Sequence, residues 1–183
     1  MPTKREVVIT GLGVVSPIGC DRAELVSHLS AGRSGIRMCE PKWLKKKFPA
    51  GVVPRIFTGE FTKLELPSLD RCGQIAVIAA RQAIADAGLG DFSAYKHRAG
   101  LFYGTVRAGA ETEHSWYEQL LLEHKAVARP FTIMTLMHNA GAAQISMRHQ
   151  ILGPVMTHST ACASSGTAIG EALRAIRDGY LEV

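Results

Sequence analysis

Paired cysteines are missing from this 183-residue chain: Cys20, Cys39, Cys72 and Cys162 stand far apart, with no Cys-x-x-Cys among them. Such spacing offers no disulfide framework and fits a reduced protein, expected to be cytoplasmic. Internal repeats and low-complexity tracts are also absent, which excludes solenoid and collagen-like architectures. No segment reads as a membrane span. The longest uncharged run, 151–170, carries Pro154, His158, three serines and three threonines, a poor composition for the bilayer interior. The uncharged run after Lys4-Arg5 imitates a signal peptide, but Glu6 opens it, Gly11, Gly13 and Pro17 interrupt it, and no Ala-x-Ala site follows. A strand over 6–10 is expected there instead. The net charge of +5 is diffuse and unaccompanied by basic-aromatic interleaving, so neither nucleic acid nor membrane is an expected partner.

What is present is an ordinary globular composition, 46% hydrophobic and 20% charged, in a chain long enough to bury a core. Val7-Val8-Ile9-Thr10 runs into Gly11-Leu12-Gly13, the pattern of a buried strand and a glycine turn. Asp21, with Glu24 three residues on, caps a helix whose stripe is Leu25, Val26 and Leu29 and whose stop is Gly32. Residues 39–66 read as an irregular excursion with Lys45-Lys46-Lys47 and scattered Trp43, Phe48, Phe57 and Phe61. A helix over 69–87 places Cys72, Ala76, Ala79, Ala80, Ala83 and Ala87 on one close-packing face, with Gly88 ending it. Strands are expected at 99–103 and 155–160, and helices at 113–125, 140–150 and 163–177. This alternation indicates α/β layering around a mostly buried sheet.

The chemistry concentrates in His158-Ser159-Thr160-Ala161-Cys162-Ala163-Ser164-Ser165-Gly166. A polar, β-branched strand meets a helix whose apolar face is Ile169, Ala172, Leu173 and Ile176, and the cysteine stands at the junction. A thiol at a helix start faces unpaired N–H groups and the positive end of the dipole, which favour thiolate. The same amides receive the oxyanion when that thiolate attacks a thioester carbonyl. Small neighbours permit a nucleophile-elbow turn. Cys20, Cys39 and Cys72 show no such setting and read as ordinary packing.

These residues, with Val8-Ile9-Thr10-Gly11-Leu12-Gly13-Val14-Val15-Ser16-Pro17-Ile18-Gly19, Gly32-Arg33-Ser34-Gly35-Ile36, Ala83-Ile84-Ala85-Asp86-Ala87-Gly88-Leu89 and Pro130-Phe131-Thr132-Ile133, run collinearly along the whole chain. The chain thereby resembles the N-terminal half of a β-ketoacyl-acyl carrier protein synthase, a condensing enzyme of fatty acid or polyketide synthesis. The resemblance implies the N-terminal half only of a thiolase-like layered α/β fold, one domain over 1–183 that ends as a strand, Leu181-Glu182-Val183, begins. It implies Cys162 as the acyl-accepting nucleophile, with its own N–H as oxyanion donor, and Val106, Arg107 and Ala161 as substrate-binding positions. No cofactor and no metal are implied. An acyl carrier protein is the implied partner, and a homodimer or ketosynthase-like heterodimer the implied assembly.

The family also employs two histidines and a lysine, which lie in its second half, one histidine being followed by Gly and Thr. None of His28, His97, His114, His124, His138, His149 and His158 is followed by Gly. His158 is four residues from Cys162, on the order of 13 Å in extended chain, too far for a direct hydrogen bond. Arg107 stands in Gly104-Thr105-Val106-Arg107-Ala108-Gly109 where relatives carry a small or apolar gate. It either makes the pocket narrower or more polar, or turns to solvent. Met134 and His138 replace commoner residues in the segment that borders the partner subunit in relatives. Lys45, Lys46, Lys47, Lys63 and Arg71 form either a docking patch for an acidic carrier or a solvated face. Three readings stay open: a condensing enzyme, a non-catalytic ketosynthase-like partner, and a truncated fragment inactive in condensation.

Overall fold

Residues 5–41, 46–90, 92–125 and 127–183 are described by a computed structural model. The first helix, α1 (Arg22–Ser30), begins where the capping pattern places it. The Asp21 carboxylate accepts the Glu24 N–H at 2.8 Å, and the Glu24 carboxylate accepts the Cys20 N–H at 2.8 Å. Gly32, at φ +63°, follows its end. The expected stripe does not become core, because no residue of α1 is buried. The helix is tethered instead through Arg22, whose guanidinium pairs with Asp86 at 2.9 Å, and through His28, whose ring contacts the Ile18 carbonyl.

The excursion after Cys39 is more regular than its sequence promises. β1 (Ile36–Cys39) and β2 (Phe48–Gly51) form an antiparallel pair with Ile36 opposite Gly51 and Cys39 opposite Phe48. Pro49 is tolerated because a two-stranded sheet consists of edges. Phe57 and Phe61 enter the core, whereas Trp43 and Lys45 fall outside the described residues. α2 (Arg71–Asp86) starts at Asp70, which accepts the Cys72 N–H at 3.1 Å, and is followed by Gly88 at φ +66°. Its inner residues Gly73, Gln74, Val77 and Ile78 are buried.

The central sheet is formed by β3 (Leu101–Gly104) and β4 (Val155–His158), which pair in parallel with Leu101 opposite Val155 and Gly104 opposite His158. The crossover between them holds α3 (Ala110–Leu121), α4 (Thr132–Leu136) and α5 (Ala140–His149); α6 (Ser164–Arg177) follows β4. Side chains alternate across a strand. Tyr103 meets Gly141 of α5 on one face, while Phe102 joins Ala168 and Ile169 of α6 around a groove on the other. The layers are therefore α2 and α5, then the sheet, then α6. Cys20, Phe57, Leu69, Val77, Ile78 and Ile145 are among the core residues. No helix among the described residues is long and apolar enough to cross a membrane.

Two expected strands are not formed. Residues 6–10 join no ladder, and Val8 and Ile9 are 69% and 80% exposed. The segment that follows is tied to α2, with the Leu12 N–H donating to Asp86 at 3.0 Å and the Val14 N–H to Gln82 at 2.9 Å. Gly11 and Gly13 serve this approach: a Cβ on them would stand 2.1 Å from the Ala83 carbonyl oxygen and 1.9 Å from that of Ala79. A β-branched run supplies strand propensity, but a strand also needs a partner's backbone. Residues 181–183 likewise form no strand. They run beside the entry to β3, where the Gly100 N–H donates to the Val183 carbonyl at 2.9 Å and the Glu182 N–H to that of Arg98 at 2.8 Å. The strand expected over 155–160 ends at His158.

Candidate active site

Parallel strands send their carboxyl ends to one side of a sheet, and in α/β folds ligands bind there. β3 and β4 deliver two loops to that side. After β4 the chain turns through Thr160 and Ala161 into a single 3-10 turn, Ala161–Ala163, and then directly into α6. Ala161 adopts φ +50°, a left-handed conformation that costs an L-residue roughly 1–2 kcal/mol. One buried hydroxyl offsets it. Ser164 Oγ accepts the Thr160 N–H at 2.9 Å and donates to the Ala161 carbonyl at 2.6 Å. Thr167 Oγ1 donates to the Ala163 carbonyl at 3.1 Å and lies 3.1 Å from Thr160 Oγ1.

Cys162 rides exposed at the middle of this turn, two residues ahead of the first residue of α6. It thus precedes the helix rather than occupying its first turn, and no acidic residue stands in that first turn. The turn sits hard against β3. A Cβ on Gly104 would stand 2.6 Å from the Ser164 carbonyl group and from Ser165 Cα. Gly104 and Ser164 are the organisers that the sequence reading did not single out. The signal was available, since Gly104 closes a strand and Ser164 directly follows Cys162-Ala163.

The second loop is stitched to the first. The Thr105 N–H donates to the His158 carbonyl at 3.0 Å, and Thr105 Oγ1 donates to the Arg107 carbonyl at 2.9 Å. Val106, Arg107, Ala161 and Cys162 therefore share one end of the sheet. Val106 and Ala161 are exposed. The Arg107 side chain is 64% exposed and pairs with Glu113 of α3, so it turns outward. His158 does not approach the thiol. Its ring stacks on Phe102, with centroids 6.2 Å apart and planes at 7°, and its Nε2 is buried without a partner among the described residues.

Cys72 has surroundings that the sequence reading missed. It lies at the start of α2, its Sγ 4.0 Å from the Tyr103 hydroxyl, and with Tyr103, Gly104 and Ser165 it borders an open groove of about 670 Å³. Burial pushes its thiol up; the Tyr103 hydrogen bond opposes this and the Asp70 charge adds to it. Burial likewise pushes the Tyr103 phenol up, and Cys72 adds to it. Of the basic residues proposed for docking, Lys47 pairs with Glu40 at 3.4 Å. Arg71 is committed to the Val53 and Arg55 carbonyls at 3.1 and 2.8 Å and lies over the Phe57 ring. Lys45 falls outside the described residues.

The sequence profile of the β-ketoacyl synthase N-terminal domain matches residues 4–183. The chain is 32% identical over 182 residues to Nodulation protein E of Rhizobium sp. (strain N33), covering 98% of this chain and 45% of that protein. It is 31% identical over 177 residues to 3-oxoacyl-acyl-carrier-protein synthase 2 of Coxiella burnetii, covering 94% and 42%. Among solved structures, the ishigamide ketosynthase/chain length factor superposes with a TM-score of 0.84 at 30% identity, over 97% of this chain and 45% of that one. The layers are those of a thiolase-like ketosynthase fold. The chain belongs to the β-ketoacyl synthase family, and its residues correspond to that family's N-terminal domain. It spans somewhat less than half the length of the relatives it matches.

Proposed function

We propose that this chain is the nucleophile-bearing half of a β-ketoacyl-acyl carrier protein synthase acting in fatty acid or polyketide synthesis. The observation that carries the reading is the Cys162 turn: an exposed thiol at the carboxyl end of a parallel strand, held by Ser164 and Thr167 hydroxyls immediately before a 14-residue helix. The Cys162 thiolate attacks an acyl thioester, its own N–H receives the oxyanion, and the carrier thiol leaves with the proton that Cys162 gave up. A malonyl thioester then loses carbon dioxide. The resulting enolate forms a carbon–carbon bond to the acyl carbonyl and releases the Cys162 sulfur.

Decarboxylation requires hydrogen-bond donors on the malonyl thioester carbonyl. Among the described residues no imidazole hydrogen-bonds near Cys162, and His158 is turned to Phe102. We assign that step to a second half that packs on α6, where Ile169 and Leu173 are 65% and 42% exposed. Ile133, Met134 and Met137, exposed on and just after α4, support a dimer with a like subunit. An acyl carrier protein is the proposed donor of both thioesters, and the cytoplasm the proposed compartment.

The test is intact-mass spectrometry after incubation with an acyl thioester, alone and with malonyl-carrier thioester. A single acyl adduct that maps to Cys162 and disappears in Cys162→Ala supports acyl transfer. Absence of any adduct overturns it, and β-ketoacyl product from these 183 residues alone overturns the assignment of decarboxylation to a second half.

A further inference from the structure

The paired strand ends bring the loop that carries an arginine to the same end of the sheet as the Cys162 turn, and one carboxylate decides where its charge sits. Arg107 lies three residues past Gly104, and Cys162 four past His158, the ladder partner of Gly104. The bond from the Thr105 N–H to the His158 carbonyl keeps the two segments together as they leave the sheet. Gly104 itself lies against the Ser164 carbonyl group and Ser165 Cα, and a long arginine stem can swing across to a neighbouring loop. In the structure the guanidinium is paired with Glu113 in the first turn of α3. The Glu113 side chain is 28% exposed against 64% for Arg107, so the carboxylate is the better anchored member and the arginine the one free to swing.

We propose that Glu113 is a positioning residue: it holds the Arg107 charge off the Cys162 thiol and thereby sets the charge of the acyl group that the thiol accepts. With the pair closed, Glu113 neutralises the Arg107 charge, and a neutral, apolar acyl thioester does not meet that cation at the nucleophile. With it open, the guanidinium lies over the approach to Cys162 and favours acyl groups that end in a carboxylate. The consequence for acyl choice rests on Cys162 being the acyl-accepting nucleophile; the position of the charge does not.

The charge is read with two thiol probes of nearly equal size, neutral iodoacetamide and anionic iodoacetate, whose rates at the Cys162 peptide are followed by mass spectrometry. Neither probe requires acyl transfer, so loss of that function leaves this test intact. In Glu113→Gln at low salt the iodoacetate-to-iodoacetamide rate ratio is expected to rise about three- to fivefold, the bias an exposed ion pair can exert. Salt is expected to shrink the rise by screening. The variant carrying both Glu113→Gln and Arg107→Ile is expected to match Arg107→Ile alone. An unchanged ratio in Glu113→Gln, or a rise that persists once Arg107 is also replaced, overturns the proposal. Cys20, only 2% exposed, reports folding by staying unmodified. If Glu113→Gln exposes it, the comparison passes to Glu113→Asp, whose shorter carboxylate loosens the pair and is expected to raise the ratio by a smaller factor; no rise there overturns the proposal equally.

Discussion

Cys72 and Cys162 each stand at the entry to a long helix, and a rule based on helix dipoles alone treats them alike. Their surroundings differ in charge and in cover. The turn into α2 is capped by a carboxylate: Asp70 accepts the Cys72 N–H at 3.1 Å, the Thr112 N–H at 2.9 Å and the Thr112 hydroxyl at 2.7 Å. That cap fastens α3 to α2, but it also puts a negative charge beside the thiol, and burial further opposes its ionisation. The turn into α6 is organised by the neutral hydroxyls of Ser164 and Thr167, and its thiol is exposed. On the proposed function, the helix entry that seats the nucleophile is the one whose capping groups leave room for an incoming anion. At Cys72 the same amide is already occupied.

The contrast breaks most severely at Gly104. Gly104→Ala forces a methyl against the Ser164 carbonyl group and Ser165 Cα, both 2.6 Å from the new atom, at a cost of ~2 kcal/mol as overpacking. A lower denaturation midpoint and a changed iodoacetamide rate at Cys162 are expected. Ser164→Ala comes next. It removes a hydroxyl that makes two bonds in the turn and is expected to cost about 1–2 kcal/mol, read by urea denaturation, with Cys72 alkylation unchanged. The smallest effect sharpens the comparison from the other side. Because burial and the Asp70 charge raise the Cys72 thiol, less of it is thiolate near neutral pH, and its alkylation climbs only as pH passes above the ordinary thiol value of 9.0. Removing the charge in Asp70→Asn lowers that thiol. Cys72 alkylation near pH ~8 is then expected to speed up by a small factor while the Cys162 rate holds.

Much of the architecture was legible because it rests on local signals. Asp21 and Glu24 mark a helix start by local hydrogen bonds, to the Glu24 and Cys20 N–H groups, that need no distant partner, and Gly88 marks a stop because it tolerates φ +66°. The failures share one cause. Residues 6–10 have strand composition, yet a strand is a relation between two backbones, and this segment is followed by one bound to α2. The stripe of α1 has helical spacing, yet none of it is fully buried, and Val26 and Leu29 are 56% and 58% exposed. The hairpin of β1 and β2 was missed because Pro49 and the uneven pattern hide a pairing that only two edge strands permit.

At the site, residue order alone picked out Cys162, since a thiol flanked by small residues between a strand and an amphipathic helix is a local arrangement, and the family's motif is continuous there. Val106, Arg107 and Ala161 came from the family resemblance, as substrate-binding positions. Tertiary structure decided how they are used. The parallel register of Gly104 with His158 brings the two loops to one end of the sheet, across a separation in sequence that no local pattern spans. It turns His158 onto Phe102, gives Arg107 to Glu113, and makes the absence of a side chain at Gly104 a condition for the Cys162 turn. Covalent order specifies which groups exist and which turns they favour. Which groups face one another depends on strand pairing and helix packing, which only the folded chain establishes.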